Sequence, residues 1–273
     1  MKRHLLFVFT VLLPLLASAE KLEKIEIGGI CYNLDTESKQ AEVTVPKPRV
    51  DTLYNEKEHE LEIRTRLFGP HTSGDITIPP TITYDGEVYS VTSIEDGTFA
   101  FCDITSITIP ESITSIGVMA FRGCDFTSIT IPKNVTSIAD GTFVNCRDLE
   151  NITIPEGVTS FGENAFANCC SLESITIPES VKFIGDNAFA RCTSLSSIVI
   201  PEGVRSIGEL AFTDCESLTS ITCLAVIPPA IGRHGKFEGV DKSIPVYVPA
   251  GSVDAYKKAR GWKKFSNIIA LPH

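Results

Sequence analysis

The chain lacks any apolar run long enough to cross a bilayer. Its longest, Leu5 to Leu16, holds about a dozen residues, against the roughly 20 that a spanning helix needs. Lys2-Arg3 precede that run and Ala17-Ser18-Ala19 follow it, which is the charged, apolar, small-residue order of a secretory signal peptide. Residues 1–19 are therefore read as a leader cleaved after Ala19, leaving a soluble mature chain. No cysteine follows that site closely, the first being Cys31, so a lipid-anchored N-terminus is not indicated. Positive charge is also short: 24 Lys and Arg stand against 34 Asp and Glu. Losing Lys2 and Arg3 with the leader takes the net charge from −10 to −12, which argues against nucleic acid as a partner.

Histidine is scarce where chemistry would need it. His59, His71, His234 and His273 lie far apart, and none falls within the long central stretch. The many serines and threonines there have no imidazole to serve as base, and no glycine-flanked serine elbow occurs. Zinc needs clustered thiolates or imidazoles. A nucleotide needs a Walker-type lysine or a glycine-rich strand-to-helix loop, and neither is present. No catalytic, cofactor or metal site is expected, and the chain is read as non-enzymatic.

What is abundant is one phrase, repeated. Its clearest copy runs VTSFGENAFANCCSLESITIPES from Val158 to Ser180. Phenylalanine recurs at Phe99, Phe121, Phe143, Phe166, Phe189 and Phe212, and cysteine at Cys102, Cys124, Cys146, Cys169, Cys192 and Cys215, both columns advancing by 22, 22, 23, 23 and 23. Pro110, Pro132, Pro155, Pro178 and Pro201 keep the same period. Three columns in register define six full coils from Val91 onward. Ser174-Ile175-Thr176-Ile177 alternates with period two, placing isoleucine inward and Ser and Thr outward. Proline ends this strand because it cannot donate to a ladder, and Ile154-Pro155-Glu156-Gly157 reads as a type I turn with proline second and glycine fourth. A second apolar pair follows, as in Val204 and Ile207, then an acid and Ala-Phe in what reads as a short helical turn. One coil alone cannot cover its inner face, so stability must come from stacking into a solenoid.

This pattern resembles the leucine-rich repeats of the BspA-like type, common in surface proteins of Bacteroidetes, with isoleucine in place of most leucines. The resemblance runs from Val91 to Leu224, and Ile76-Thr77-Ile78-Pro79 with Tyr84-Asp85-Gly86 extends it upstream by a half-copy. It implies ligand binding or adhesion at a cell surface. The fold class expected is a BspA-like leucine-rich repeat solenoid, mainly parallel β with short helical turns. Residues 20–75 form a β-rich N-terminal cap with strands near Lys24–Ile27, Ala41–Val45 and Glu60–Arg66. The solenoid occupies 76–224. Residues 225–273 form a C-terminal strand-helix cap, with Ser252 as N-cap of a short helix.

The six cysteines of the column are expected as buried thiols. Parallel Cβ atoms at a ladder spacing of about 4.8 Å are too far apart for a disulfide, which prefers about 3.8 Å. The pairing of Cys31, Cys170 and Cys223, outside the column, is open. Asp96, Asp140, Glu163, Asp186 and Glu209 share one repeat position that could suggest a calcium ladder. Val118 breaks that series and the glycine-rich turns of calcium-binding β-helices are missing, so the acids are assigned to the positive end of the helical turn. The candidate binding surface is the outward row of the main strands: Ser106, Thr108, Ser128, Thr130, Asn151, Thr153, Ser174, Thr176, Ser197 and Val199. The expected partner is a protein, such as a host extracellular-matrix or cell-surface protein, met by a secreted or surface-exposed module. The alternative is a structural envelope protein that assembles through its own ends.

Overall fold

The computed structural model describes residues 21–27, 30–44, 49–55, 60–66, 73–232 and 237–272. The expected leader and its cleavage site lie outside these. The chain winds as a β-solenoid with two parallel ladders. The main ladder is built from the Ser-Ile-Thr-Ile phrases, beginning at Gly74–Thr77 and Ile104–Thr108, continuing through Ser128–Thr130, Asn151–Thr153, Ser197–Ile200 and Ser220–Cys223, and ending at Pro245–Val248 and Asn267–Ala270. Pairing is in register with the repeat: Ile129 faces Ile152, and Ile198 faces Ile221, which faces Val246. The second ladder stacks the short pairs after the proline turn, Ser160–Phe161, Phe183–Ile184, Ser206–Ile207 and Ala230–Ile231. The alternating pattern places isoleucine inside on both.

Each turn between the ladders begins on proline. The carbonyls of Pro110, Pro132, Pro155, Pro178 and Pro201 accept from the N–H three residues on, at Ile113, Val135, Val158, Val181 and Val204, over 3.0–3.2 Å. The turn is thus Pro155-Glu156-Gly157-Val158, one residue later than the sequence suggests. Its third position holds Ser112, Asn134, Gly157, Ser180 or Gly203, which a type I turn accepts because no positive φ is needed there.

The phenylalanine segment is tighter than a helix. Bonds span three residues, as from Ala100 N–H to the Gly97 carbonyl and from Cys102 N–H to that of Phe99. Two residues in every coil, four apart, have positive φ: Gly97 and Phe101, Met119 and Gly123, Gly141 and Asn145, Asn164 and Asn168, Asn187 and Arg191, Leu210 and Asp214. That reversal frees alternate N–H groups to bond the next coil, so Phe121 donates to Thr142, Phe143 to Ala165 and Phe166 to Ala188, at 2.8–3.0 Å. The segment contributes a third column of inter-coil hydrogen bonds.

The core is a stack of rings. Phe99, Phe121, Phe143, Phe166, Phe189 and Phe212 lie parallel with centroids 5.3–5.7 Å apart, and Phe237 continues the stack beyond Phe212 at 5.8 Å. Burying each ring contributes about 1.5–3 kcal/mol, realised only because the neighbouring coil covers it. At the N-terminal end, β1 (Lys21–Ile27), β2 (Ile30–Asp35) and β3 (Gln40–Thr44) form an antiparallel meander, and β3 pairs in parallel with Glu87–Ile94. Buried Tyr32, Leu34 and Val43 close the core there. At the other end α1 (Val253–Lys258) and a following turn insert Tyr256 and Trp262, both fully buried. The indole donates to the Pro229 carbonyl at 3.0 Å and the phenol to that of Ala225 at 2.8 Å. Ser252 precedes α1 as expected, but its hydroxyl donates to the Val226 carbonyl rather than capping the helix.

Candidate binding face

The repeat that builds the ladders also fixes what they display. Ser106, Thr108, Ser128, Thr130, Asn151, Thr153, Ser174, Thr176, Ser197 and Val199 all project outward and are exposed. Where strands pair, equivalents stand side by side: Ser128 beside Asn151, Thr130 beside Thr153, Ser197 beside Ser220 and Val199 beside Thr222. The structure thus brings the predicted residues into one surface. A shallow groove of about 360 Å³ crosses it at Ser106, Thr108, Ser128 and Thr130. At its upstream end the Asp75 carboxylate accepts from Ser106 at 2.6 Å and Thr105 at 3.1 Å, and these bonds hold its pKa below the usual range.

The row extends beyond the predicted residues. Thr222 pairs with Tyr247 and Tyr247 with Ile269, so the threonine column turns aromatic and apolar at its C-terminal end. Alternation in Ile244-Pro245-Val246-Tyr247-Val248 and in the Ile268-Ile269 pair carried the signal, but irregular spacing hid their register with the array.

Two further departures from the repeat lie elsewhere on the surface. In the second ladder the outward position holds serine at Ser160 and Ser206, but phenylalanine between them at Phe183, 50% exposed. On the turn column Phe101 and Met119, 47% and 41% exposed, hold positive φ at positions that are glycine or asparagine in several other coils. The Arg122 guanidinium lies 4.8 Å above the Phe101 ring. In the sequence Phe183 breaks a column of serines, and Phe101 and Met119 stand in columns that are mostly glycine, asparagine or aspartate but also hold Arg191 and Leu210.

The conserved-looking polar columns are structural. Of the six column cysteines, Cys102 in the first coil is only half-buried, contrary to expectation, whereas Cys124, Cys146, Cys169, Cys192 and Cys215 are buried free thiols, and each of these five donates to a phenylalanine carbonyl of the preceding coil, at 3.0–3.2 Å. Burial pushes their pKa values up, to about 12 for Cys146 and Cys215. They are therefore poor nucleophiles. Cys170 points away from the column toward the carbonyls of Asn168 and Arg191, and Cys223 accepts from the Tyr256 hydroxyl. Three of the five shared acids also have a different role from the one expected. Asp96, Asp140 and Asp186 each accept, through Oδ1, from the backbone N–H of the equivalent residue one coil on: Val118, Glu163 and Glu209, at 2.6–2.7 Å. They staple coils together; no helix dipole is involved because the turn is not helical. Among the described residues no group of three or more His, Cys, Asp or Glu is placed to hold a metal ion. No helix among them is long and apolar enough to cross a membrane.

Parallel ladders closed by a turn column, with one coil per 22–23 residues, define a leucine-rich repeat solenoid. Residues 76–195 match, in six copies, the family described as BspA type Leucine rich repeat region. Solved structures with a related course include a leucine-rich repeat protein from Bacteroides ovatus, 23% identical over 90% of this chain and 76% of that one, with a TM-score of 0.45. A leucine-rich repeat protein of T. pallidum is 20% identical over 89% and 94% of the two chains, at a TM-score of 0.44. The pneumococcal vaccine antigen PcpA is 14% identical over 91% and 98%, at 0.46. No curated protein matches the chain.

Proposed function

We propose that the chain is a secreted or cell-surface, non-enzymatic module that binds a protein ligand through the outward row of the main ladder. One observation carries this reading. The row is a continuous set of exposed side chains on a backbone that inter-coil hydrogen bonds hold rigid, so little conformational entropy is lost when a partner docks. Ser and Thr make an even, hydrogen-bonding platform. Binding energy concentrates on large, partly apolar anchors, which on this face are Val199, Tyr247 and Ile269. A host extracellular-matrix or cell-surface protein is the class of ligand that a secreted BspA-type repeat would meet.

The test is capture by the purified chain, residues 20–273, from extracellular-matrix proteins, host surface extracts and bacterial envelope fractions. Once a saturable ligand is in hand, the triple variant T130K/T153K/T176K is compared with the parent. A loss of at least about tenfold in affinity, roughly 1.4 kcal/mol, is expected. Unchanged affinity moves the site off this face. Capture only of envelope components favours the alternative, a structural envelope protein.

A further inference from the structure

Among the described residues, both ends of the main ladder are open: Gly74–Thr77 pairs only with Ile104–Thr108, and Asn267–Ala270 only with Pro245–Val248. Each end strand therefore presents one row of backbone N–H and C=O groups without a strand partner among the described residues, and such an edge is a template for another strand. The second ladder differs at its N-terminal end, where β3 covers Glu87–Ile94. All pairings along the main ladder are parallel. Setting Gly74–Thr77 of one copy beside Asn267–Ala270 of another would continue the ladder in its own direction.

Charge is divided to match. Residues 20–103 contain 17 Asp and Glu against eight Lys and Arg, and the stretch 73–103 alone holds six acids and no base. The last coil reverses this: Lys257, Lys258, Arg260, Lys263 and Lys264 are all exposed around the final strand, and only Glu238, Asp241 and Asp254 oppose them over 237–272. In a chain of net charge −12 without its leader, the last coil is thus locally basic and the stretch 73–103 locally acidic. Solubility alone does not require that segregation, whereas opposite ends that meet would use it.

We propose that the chain associates head to tail with further copies of itself, Asn267–Ala270 of one docking against Gly74–Thr77 of the next, with the basic last coil facing the acidic first coils. The interface is heterologous and does not close, so it propagates beyond two copies. The outward row stays free along the assembly, and many weak ligand contacts would be presented in series. This inference does not depend on the ligand-binding reading.

Sedimentation velocity on residues 20–273 tests it. At low ionic strength the weight-average mass is expected to rise with protein concentration past that of a dimer, and to return to that of the monomer in high salt, where charges are screened. The exposed-site variant K258E/K263E/K264E should remain monomeric. Ala270→Pro should too, since alternation along the strand puts the Ala270 N–H on the open side, where proline is tolerated at an edge. An unchanged circular dichroism spectrum and thermal midpoint for the charge variant separate loss of association from loss of fold. A monomer at all concentrations in low salt would overturn the proposal, as would a mass that stops at two copies or association that the charge reversal leaves intact.

Discussion

Phe166→Ala removes the ring at the middle of the stack. Phe166 is fully buried, stacked at 5.5 Å on Phe143 and 5.3 Å on Phe189, with Phe161 edge-on at 5.4 Å. Truncating a buried phenylalanine costs about 3–5 kcal/mol, and each aromatic pair accounts for about 0.5–1.5 kcal/mol of such a loss. With rings on both faces and one at its edge, this site belongs at the upper end of that range. Phe99, which among the described residues stacks on Phe121 alone, at 5.6 Å, belongs at the lower end. Guanidinium titration followed by far-ultraviolet circular dichroism measures the difference. The single tryptophan, Trp262, sits in the last coil, so its fluorescence reports the C-terminal end separately. In a one-dimensional array a weakened middle coil lets the two halves unfold apart. The two signals should coincide in the parent and separate in the variant. A loss below about 1 kcal/mol, the size of a surface substitution, would refute the claim that the ring stack holds the coils together.

Other consequences follow from the inter-coil contacts. A Cβ at Gly185 would lie 2.5 Å from the backbone carbon and oxygen of Gly162, so Gly185→Ala should cost about 1–3 kcal/mol as overpacking does, while Gly251→Ala, with nothing within 4 Å, should stay within about 0.5 kcal/mol; chemical denaturation compares them. Asp140→Ala removes the acceptor for the Glu163 N–H at 2.7 Å and should lower stability by about 1 kcal/mol, whereas no change in midpoint would mean that water replaces the staple without loss. Burial raises the pKa of Cys146 and Cys215 to about 12 from 9.0. The unfolded chain therefore loses these protons first, and stability that is complete below pH 9 should fall between about pH 9 and 12, by about 1.4 kcal/mol per pH unit for each thiol; a flat profile across that range would contradict the burial. A thiol reagent at neutral pH should modify half-buried Cys170 in the folded chain and reach the five buried column thiols only on unfolding.

Much of this was legible in the sequence because a solenoid writes each contact several times. The phenylalanine, cysteine and proline columns gave the coil, its period and its inward residues, and alternation in Ser-Ile-Thr-Ile gave the outward row. What was not legible depends on backbone geometry. Whether Gly97 to Cys102 forms a helix or successive tight turns turns on positive φ at Phe101, and nothing about a phenylalanine signals that conformation. The acid column was misassigned for the same reason: Asp96 and Asp140 reach an N–H that points along the stack only because the turn is not helical. The last two coils were hidden by spacing. Phe237 stacks on Phe212 although it falls 25 residues later, outside the 22–23 residue period, so Tyr247 and Ile269 were separated from the row they complete. Phe183, Phe101 and Met119 are not legible from the repeat because a repeat pattern describes what the copies share and not where single copies differ.

The central claim is that ligand recognition lies on the main ladder and not on the other faces of the solenoid. The most direct measurement is the affinity of a captured ligand for two matched variants, Y247E/I269E on the main ladder and Phe183→Glu on the second, each checked for an unchanged thermal midpoint. At least about a tenfold loss, roughly 1.4 kcal/mol, is expected for the first and parental affinity for the second. The reverse pattern would contradict that claim, and would place recognition around the exposed phenylalanine of the second ladder.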